Sequence, residues 1–387
     1  MGCSDITGRF LLLAALILAV TACVSPAKYS GRSVIEAHPA LLRGGDLFPA
    51  DQALPELETV NLIAVNDDMR AFLDEVIPNK RVSSEKKTRL ILRSLLDEGL
   101  NLSYNSLKTS SAEETFYSRE GNCMSFTNLF IALAREAGVV ASYQEVKVPP
   151  TWSAIGDTHY YYLHINSIVD YASGAQVVID FDTRTDLSRG RSQHVGDHTA
   201  AAQYYNNMAV YYLAEADYQL AFLHARRAIE LRPNTGYFWS NLGTIFKRAG
   251  ELNYAEQAYL AAIDLSGEPA AVSNLARLYR LQGKDQLAAV YAEQAESFRA
   301  RNPYYLFEMA EQAYEAGDYT EANRLLRSAV RKRDDEHEFY HLLGLTWAQL
   351  GDADKAQASF SQALHHASNP DRISLYQHKM QILEADH

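Results

Sequence analysis

Residues 202–235 read AQYYNNMAVYYLAEADYQLAFLHARRAIELRPNT, and the pattern of small residues in this stretch returns four more times along the chain. Ala209, Ala221 and Ala228 are its small positions, and segments that begin at 236, 269, 303 and 337 repeat them after steps of 34, 33, 34 and 34 residues. Small side chains at a fixed spacing let two helices approach closely, so each segment predicts a helical hairpin. The equivalent residues are Gly243, Ala255 and Ala262, then Ala276, Ala288 and Ala295, then Ala310, Ala322 and Ala329, and finally Gly344, Ala356 and Ala363.

A step of about 34 residues is the period of tetratricopeptide repeats, and the five segments resemble that family. The resemblance implies an all-α solenoid of about five repeats over residues 196–387, closed by a capping helix near residues 371–384. Stacked hairpins of this kind leave a concave groove, which typically binds an extended peptide or a helix of a partner protein.

The candidate groove residues are polar and basic residues of the first three repeats. Asparagines occupy one repeat position, and basic residues lie near them in the sequence, which is similar to the tetratricopeptide grooves that clamp a C-terminal carboxylate. An acidic peptide is therefore one candidate ligand. Asparagine is also common at this position in repeats with other ligands, and scattered arginines are usually solvated, so the alternative is that these residues bind no peptide. The candidates are Asn207, Asn241, Asn274, Lys247, Arg248, Arg277 and Arg280.

The N-terminus carries the features of an export signal. Residues 10–20 form an apolar run that is too short to cross a bilayer but has the length of a signal-peptide core. The run ends in Val20-Thr21-Ala22-Cys23, which resembles the lipobox of bacterial lipoproteins. The resemblance implies a cleaved signal peptide over residues 1–22, a lipid on Cys23 and a tether over residues 23–50. The next residue is not the aspartate that retains lipoproteins in the inner membrane, so we expect an outer-membrane anchor with the protein facing the periplasm.

Charge and cysteine content narrow the partners further. The 387 residues have a formal net charge of -12, which argues against a general nucleic-acid surface because such surfaces are basic. Cys3 would leave with the signal peptide and Cys23 would take the lipid, so Cys123 is the single thiol of the predicted mature chain. An unpaired cysteine in an oxidising compartment is either buried as a small apolar residue or reactive.

Cys123 lies at the predicted start of a helix. Asn122 is a typical N-cap, and Gly138 is placed to end the helix. In the first turn of a helix, unpaired backbone N–H groups and the helix dipole favour a thiolate and can serve as an oxyanion hole. The apolar residues that predict one buried face are Phe126, Phe130, Leu133 and Ala137.

A predicted hairpin further along the chain carries a histidine and an aspartate. Residues 163–169 and 176–182 are typical of strands joined by a turn near residue 173. A turn centred on residue 172 would place His164 opposite Asp180, whereas a centre one residue later would place it opposite Asp182. Both registers bring a carboxylate to the same sheet face as the imidazole, because side chains alternate with period two.

Cys123, His164 and Asp180 together resemble the transglutaminase-like branch of the papain-type thiol enzymes, over about residues 84–185. In that family a Gly-x-Cys at a helix start precedes a histidine that opens one strand and an aspartate on the next. The resemblance implies an α+β domain, assigned to residues 51–195, without a cofactor. It also implies that Cys123 is the nucleophile, His164 the general base and then acid, and Asp180 the orienting carboxylate.

These features predict a lipid-anchored envelope enzyme that acts on a peptide or protein amide through a cysteine thioester, by hydrolysis or acyl transfer. The repeats would recruit the substrate or a partner protein. The alternative is a non-catalytic scaffold lipoprotein whose transglutaminase-like domain only binds. No metal site is predicted, since Cys-x-x-Cys spacing does not occur and His365-His366 is typical of a helix surface.

Overall fold

The structure is a computed structural model that describes part of the chain. The described residues are 31–37, 39–49, 51, 53–96, 99–106, 108–147, 153–155, 158–160, 164–181, 191–367 and 373–379. The predicted signal peptide, Cys23 and Asp182 therefore lie outside the described residues. No described helix is both long enough and apolar enough to span a bilayer.

Helices dominate the described residues, with a small sheet in the N-terminal half. The helices are α1 Gly31–Ala37, α2 Asp67–Val76, α3 Ser84–Leu96, α4 Ala112–Ser118, α5 Cys123–Glu136, α6 Asp197–Ala214, α7 Tyr218–Leu231, α8 Gly236–Ala249, α9 Leu252–Ser266, α10 Pro269–Leu281, α11 Asp285–Arg301, α12 Pro303–Glu315, α13 Tyr319–Lys332, α14 His337–Gln349 and α15 Ala353–His366. The strands are β1 Ser103–Tyr104, β2 Glu120–Gly121, β3 Val140–Lys147, β4 Ser153–Ile155, β5 Thr158–Tyr160, β6 His164–Asp170, β7 Gln176–Ile179 and β8 Arg191–Val195.

The strands form one four-stranded sheet and two strand pairs. The four-stranded sheet has the order β7-β6-β3-β8, so the hairpin β6-β7 forms one edge. β4 pairs with β5 antiparallel, whereas β1 pairs with β2 in parallel, with Ser103 opposite Glu120. The predicted class, an α+β part followed by helical hairpins, is confirmed.

The contacts divide the chain into two units. The first unit contains the described parts of 31–143, 169–177 and 195–271, and the second contains those of 144–168, 178–194 and 272–379. In the first unit, α5 is the central element, because α2, α3, α4 and β2 all contact it. Every residue of α5 from Met124 to Ala134 is buried. The predicted helix thus exists, but it is buried on all sides rather than on one face.

The stretch before residue 50 differs from the predicted tether. Its described part, residues 31–49, forms α1 and two short 3₁₀ helices and packs on the first two hairpins within the first unit. The Phe48 ring lies 5.6 Å from that of Phe222, and the Gln219 side chain donates to the Leu47 carbonyl at 2.9 Å. Gly44, at φ 87°, leaves no room for a side chain, since a Cβ there would lie 2.8 Å from Phe48. The segment folds in short turns, so it lacks the periodicity that would have predicted it.

The repeat region contains the five predicted hairpins, α6-α7 to α14-α15. The first helices of the last four hairpins begin at the predicted residues 236, 269, 303 and 337, whereas α6 begins at Asp197, before the predicted residue 202. The conserved spacing of small residues has a direct cause: a Cβ on Gly243 would lie 2.7 Å from the Tyr259 ring, and one on Gly344 would lie 2.7 Å from the Phe360 ring. Residues 373–379 form a further helical segment, and Tyr376 within it is fully buried. This segment lies within the predicted capping helix.

Glutamates occupy equivalent positions in two of the loops between hairpins, with different surroundings. Glu268, just before α10, is buried, and burial raises the pKa of its carboxyl from 4.5 to about 7, although a hydrogen bond from the Ala270 backbone opposes the rise. Glu336, just before α14, accepts from the Tyr304 hydroxyl at 3.0 Å and lies 3.9 Å from Arg333. The native fold therefore favours protonated Glu268.

We predict that Glu268→Gln stabilises the protein at pH 8 but not at pH 4. Because the folded-state pKa is raised, the protonated carboxyl supports the fold fully below pH 4.5, and this support is lost as the pH rises through about 7. A neutral glutamine avoids that loss, which is worth up to about 3 kcal/mol in the free energy of unfolding. Urea unfolding at both pH values measures this difference in the free energy of unfolding.

The matched control is Glu336→Gln, which removes an ion contact and should show no such gain. An equal free energy of unfolding for Glu268→Gln and the wild type at pH 8 would contradict the prediction.

Candidate active site

The first turn of α5 carries Cys123 and is built by local hydrogen bonds. The Asn122 side chain accepts from the Ser125 backbone N–H at 3.1 Å, as predicted for an N-cap. Gly121 precedes the cap because a Cβ there would lie 2.4 Å from the Ser125 Cβ. At the other end, Gly138 has a φ of 75°, so the predicted stop of the helix is also confirmed.

The loop over residues 108–111 fixes this turn from outside. The Ser125 hydroxyl donates to the Lys108 carbonyl at 3.0 Å and accepts from the Ser110 backbone N–H at 2.8 Å. The Asn122 side-chain amide donates to the Thr109 hydroxyl at 2.7 Å, and all these groups except Lys108 are buried. Buried polar groups satisfied in this way hold a single geometry. The helix start is therefore rigid before any substrate binds.

Cys123 lies at the N-terminal end of α5, next to the buried residues of the helix. From Gly121 to Ala134 every residue is buried except Cys123, which is half-buried and is not part of a disulfide. A small apolar residue that only filled the core would be sealed like its neighbours. The thiol instead stands at the surface of the first unit, in the turn where the backbone N–H groups have no helical partners.

His164 and Asp180 form a pair on the hairpin β6-β7. The His164 Nε2 lies 2.8 Å and 3.0 Å from the two carboxylate oxygens of Asp180, and the histidine is buried with 8% of its surface exposed. When the carboxylate accepts from Nε2–H, the neutral ring keeps its lone pair on Nδ1. The predicted pair of His164 and Asp180 is therefore present within the second unit.

The hairpin has the second of the two predicted registers, not the one that places His164 directly opposite Asp180. The Tyr171 backbone N–H donates to the Ala175 carbonyl at 2.9 Å, which centres the turn on residue 173. His164 thus reaches Asp180 diagonally, as long side chains on neighbouring strands can. In this register Asn166 lies directly opposite Asp180, and its side-chain amide donates to Asp180 Oδ2 at 3.0 Å.

Asn166 is absent from the predicted site. It is fully buried, and its hydrogen bond fixes the carboxylate that in turn fixes the imidazole. The available signal was its position two residues after His164 on the same strand, because residues i and i+2 share a sheet face. The Asp180 carboxylate is thereby held by two side chains, which offsets the cost of taking a charge partly out of water.

The predicted groove asparagines have different roles in the structure. Asn207 donates its amide to the Met124 sulfur at 3.7 Å, and the Asn241 amide donates to the side-chain Oδ1 of Asn206 at 2.8 Å. Asn274 is fully buried. Among the basic candidates, two are half-buried and two exposed. Lys247 and Arg277 are half-buried, whereas Arg248 and Arg280 are exposed. The three asparagine side chains therefore do not form an open row of amides along a groove.

A His-Glu-x-x-His spacing, which the predicted site omits, occurs at His337-Glu338-Phe339-Tyr340-His341. In the structure both imidazoles pack around Tyr376 of the C-terminal helical segment. The His337 Nδ1 lies 2.8 Å from the Tyr376 hydroxyl, and the His341 ring is 4.9 Å from the tyrosine ring. Among the described residues, no group of three or more His, Cys, Asp or Glu side chains could hold a metal ion. The spacing here serves the packing of the last repeat.

Comparison with protein families matches two regions of the chain. Residues 71–165 match the transglutaminase-like superfamily, and residues 202–235 and 337–364 match the tetratricopeptide repeat. The first region includes Cys123 and His164 and ends before Asp180. The chain thus contains a transglutaminase-like domain and tetratricopeptide repeats. No curated protein matches the sequence.

Several solved structures of repeat proteins are similar to part of the chain. YrrB, a TPR protein with an unusual peptide-binding site, is 15% identical over 46% of this chain and 92% of its own, with a TM-score of 0.25. PilF of Pseudomonas aeruginosa is 13% identical over 49% and 89%, with a TM-score of 0.27. BtubC from P. vanneervenii is 21% identical over 45% and 85%, with a TM-score of 0.25.

We predict that Asp180 sets the tautomer of His164. In the wild type the neutral ring should carry its proton on Nε2, because that nitrogen faces the carboxylate. In Asp180→Ala this acceptor is gone, so the share of the neutral ring that carries its proton on Nε2 should fall. Nitrogen-15 chemical shifts of the two ring nitrogens measure this. Ser167→Ala, which removes only a 3.4 Å bond to the Ile179 carbonyl, is the control. An unchanged single tautomer in Asp180→Ala would show that another group orients the ring.

Proposed function

We propose, from the premise that the chain joins a transglutaminase-like domain to tetratricopeptide repeats, that it is an envelope thiol enzyme acting on a peptide or protein amide. Cys123 is the nucleophile, His164 the general base and then acid, and Asp180 the group that orients the imidazole. The repeats bring the peptide or protein substrate to the site. The protein is held at the membrane through a lipid on Cys23 and faces the periplasm.

The observation that carries this proposal is the bonded pair of His164 and Asp180. A catalytic cysteine needs a proton acceptor whose ring is fixed by a third group. A carboxylate on Nε2, itself held by Asn166, supplies that fixation and leaves Nδ1 as the basic nitrogen. Cys123 is half-buried at the start of a helix, so its thiol is accessible, as a reactive cysteine must be.

The reaction proceeds in two halves that balance. His164 takes the thiol proton as the Cys123 sulfur attacks the amide carbonyl carbon, and the developing oxyanion is placed near the backbone N–H groups of the first turn of α5. The C–N bond then breaks, the imidazolium gives its proton to the leaving amine, and a thioester remains on Cys123. Water or a second amine, deprotonated by His164, attacks the thioester, and the proton returns to the thiol. Water yields an acid, whereas an amine yields a new amide.

The first test is the reactivity of Cys123 toward iodoacetamide. His164→Ala should slow alkylation of Cys123 at pH 7 by about tenfold or more, because the proton acceptor is lost. Mass spectrometry of the Cys123 peptide from the full chain follows the rate without interference from other cysteines. His198→Ala removes an exposed imidazole and is the matched control.

Equal rates in the wild type and His164→Ala would mean that the two residues do not act as a pair. In that case the transglutaminase-like domain would be a binding module, as in a scaffold lipoprotein. Cys123→Ala would then leave the cellular role intact, which separates the two functions in a complementation assay.

The anchor is tested separately with Cys23→Ser. If Cys23 carries the lipid, the variant should fail to incorporate labelled palmitate and should leave the membrane fraction, since two acyl chains on the wild type hold it there. Cys3→Ser is the control and should behave as the wild type. Continued labelling of Cys23→Ser would contradict the lipidation.

A further inference from the structure

Helix α6, the first helix of the repeats, lies alongside the helix that carries the thiol. At one end, Arg135 of α5 forms two hydrogen bonds with the Asp197 carboxylate, at 2.7 and 2.9 Å. At the other end, the Asn207 amide donates to the Met124 sulfur at 3.7 Å. On each helix the two contacting residues are 10 or 11 positions apart, which corresponds to about 15 Å at a rise of 1.5 Å per residue. The two helices therefore run antiparallel, and α6 holds α5 at both ends.

Further contacts show that this side of α6 belongs to the transglutaminase-like domain. The Tyr205 hydroxyl accepts from the Val60 backbone N–H at 3.2 Å. Burial raises the pKa of Tyr204, and the negative charge of the Glu114 carboxylate adds to the rise. Residues 202–206 of α6 are all buried, and five successive positions cover the whole circumference of a helix. α6 also packs against α7 and α8 of the repeats. Its Asp197, Tyr205 and Asn207 side chains bond to Arg135, Val60 and Met124 of the preceding domain.

The ion pair of Arg135 and Asp197, at the C-terminal end of α5, lies next to buried residues that surround this helix. Arg135 also donates to the Ala141 carbonyl at 2.8 Å, and the buried Tyr143 hydroxyl donates to Asn128 at 2.7 Å. Burial raises the pKa of Tyr143, with the Asp197 carboxylate adding to the rise and Arg135 opposing it. The anionic end of α6 is thus electrostatically coupled to the residues that surround α5.

We propose that Asn207 is a positioning residue for Cys123, so that the first repeat completes the thiol site instead of serving only as a binding module. Met124 follows Cys123 in the first turn, and its sulfur is the atom that Asn207 contacts. Loss of the amide frees Met124 to change rotamer and lets the turn that bears the thiol shift. The inference rests on the proposed function, in which Cys123 is the nucleophile.

The second repeat offers a matched control. Asn241 lies at the same repeat position as Asn207, but its amide donates to Asn206 within the repeats at 2.8 Å. It is buried, so Asn241→Ala perturbs the repeat core at least as much as Asn207→Ala does. A purely structural role for these asparagines would give both variants the same effect on Cys123.

The experiment measures iodoacetamide alkylation of Cys123 in the full chain, between about pH 5 and 9. We expect Asn207→Ala to slow alkylation at pH 7 about three- to tenfold and to change its pH dependence, because misplacement of a reacting group lowers its rate steeply. Asn241→Ala should stay within about twofold of the wild type. Asp197→Asn, which breaks the ion pair at the far end, should act in the same direction as Asn207→Ala. Melting temperatures of all variants show whether folding is preserved.

The outcomes separate this inference from the proposed function. If His164→Ala slows alkylation but Asn207→Ala and Asp197→Asn keep the wild-type rate, the positioning role is overturned and the enzyme remains. An equal slowing in Asn207→Ala and Asn241→Ala also overturns it, because the effect then follows the stability of the repeats. If His164→Ala itself has no effect, the proposed function fails.

Discussion

The structure of the first unit depends on the burial of α5. A helix whose residues 124–134 are all buried needs neighbours on every side, and a single sheet or helix pair cannot supply them. Three helices and a strand of the domain contact it, and side chains of α6 in the repeats bond to residues near both of its ends. Between Gly121 and Ala134 only Cys123 is partly exposed, so the packing that buries this part of the helix also leaves the thiol accessible.

Local signals in the sequence were sufficient for the elements themselves. The period of about 34 residues located the hairpins, since small residues recur where the two helices of a repeat approach closely, as at Gly243 against Tyr259. The cap at Asn122 and the stop at Gly138 follow from the hydrogen bonds of a helix end, which involve neighbouring residues only. The histidine and aspartate on one hairpin follow from the two-residue period of strands.

Those local signals could not predict the contacts between residues that are distant in the sequence. The diagonal contact of His164 with Asp180 depends on a one-residue difference in the turn, and residue types on either side of that turn do not fix its centre. The segment 31–49 was predicted as a tether because it has no period, yet Phe48 packs on Phe222 there. The role of Asn207 was assigned to a peptide groove because a repeat pattern defines a position on a hairpin and not the domain that lies against it.

The end of a repeat array must be closed, since the face that would bind the next hairpin is otherwise exposed. Terminal repeats often solve this with a polar outer face, but in α6 the successive residues 202–206 are all buried, Tyr204 and Tyr205 among them. The transglutaminase-like domain, through Tyr205 with Val60 and Arg135 with Asp197, provides the closure. Because one helix then serves as the first element of the repeats and as a wall of the domain, any change that tilts α6 must also act on α5. The repeats and the helix that carries the thiol are therefore joined at defined contacts, those of Asn207 with Met124 and of Asp197 with Arg135.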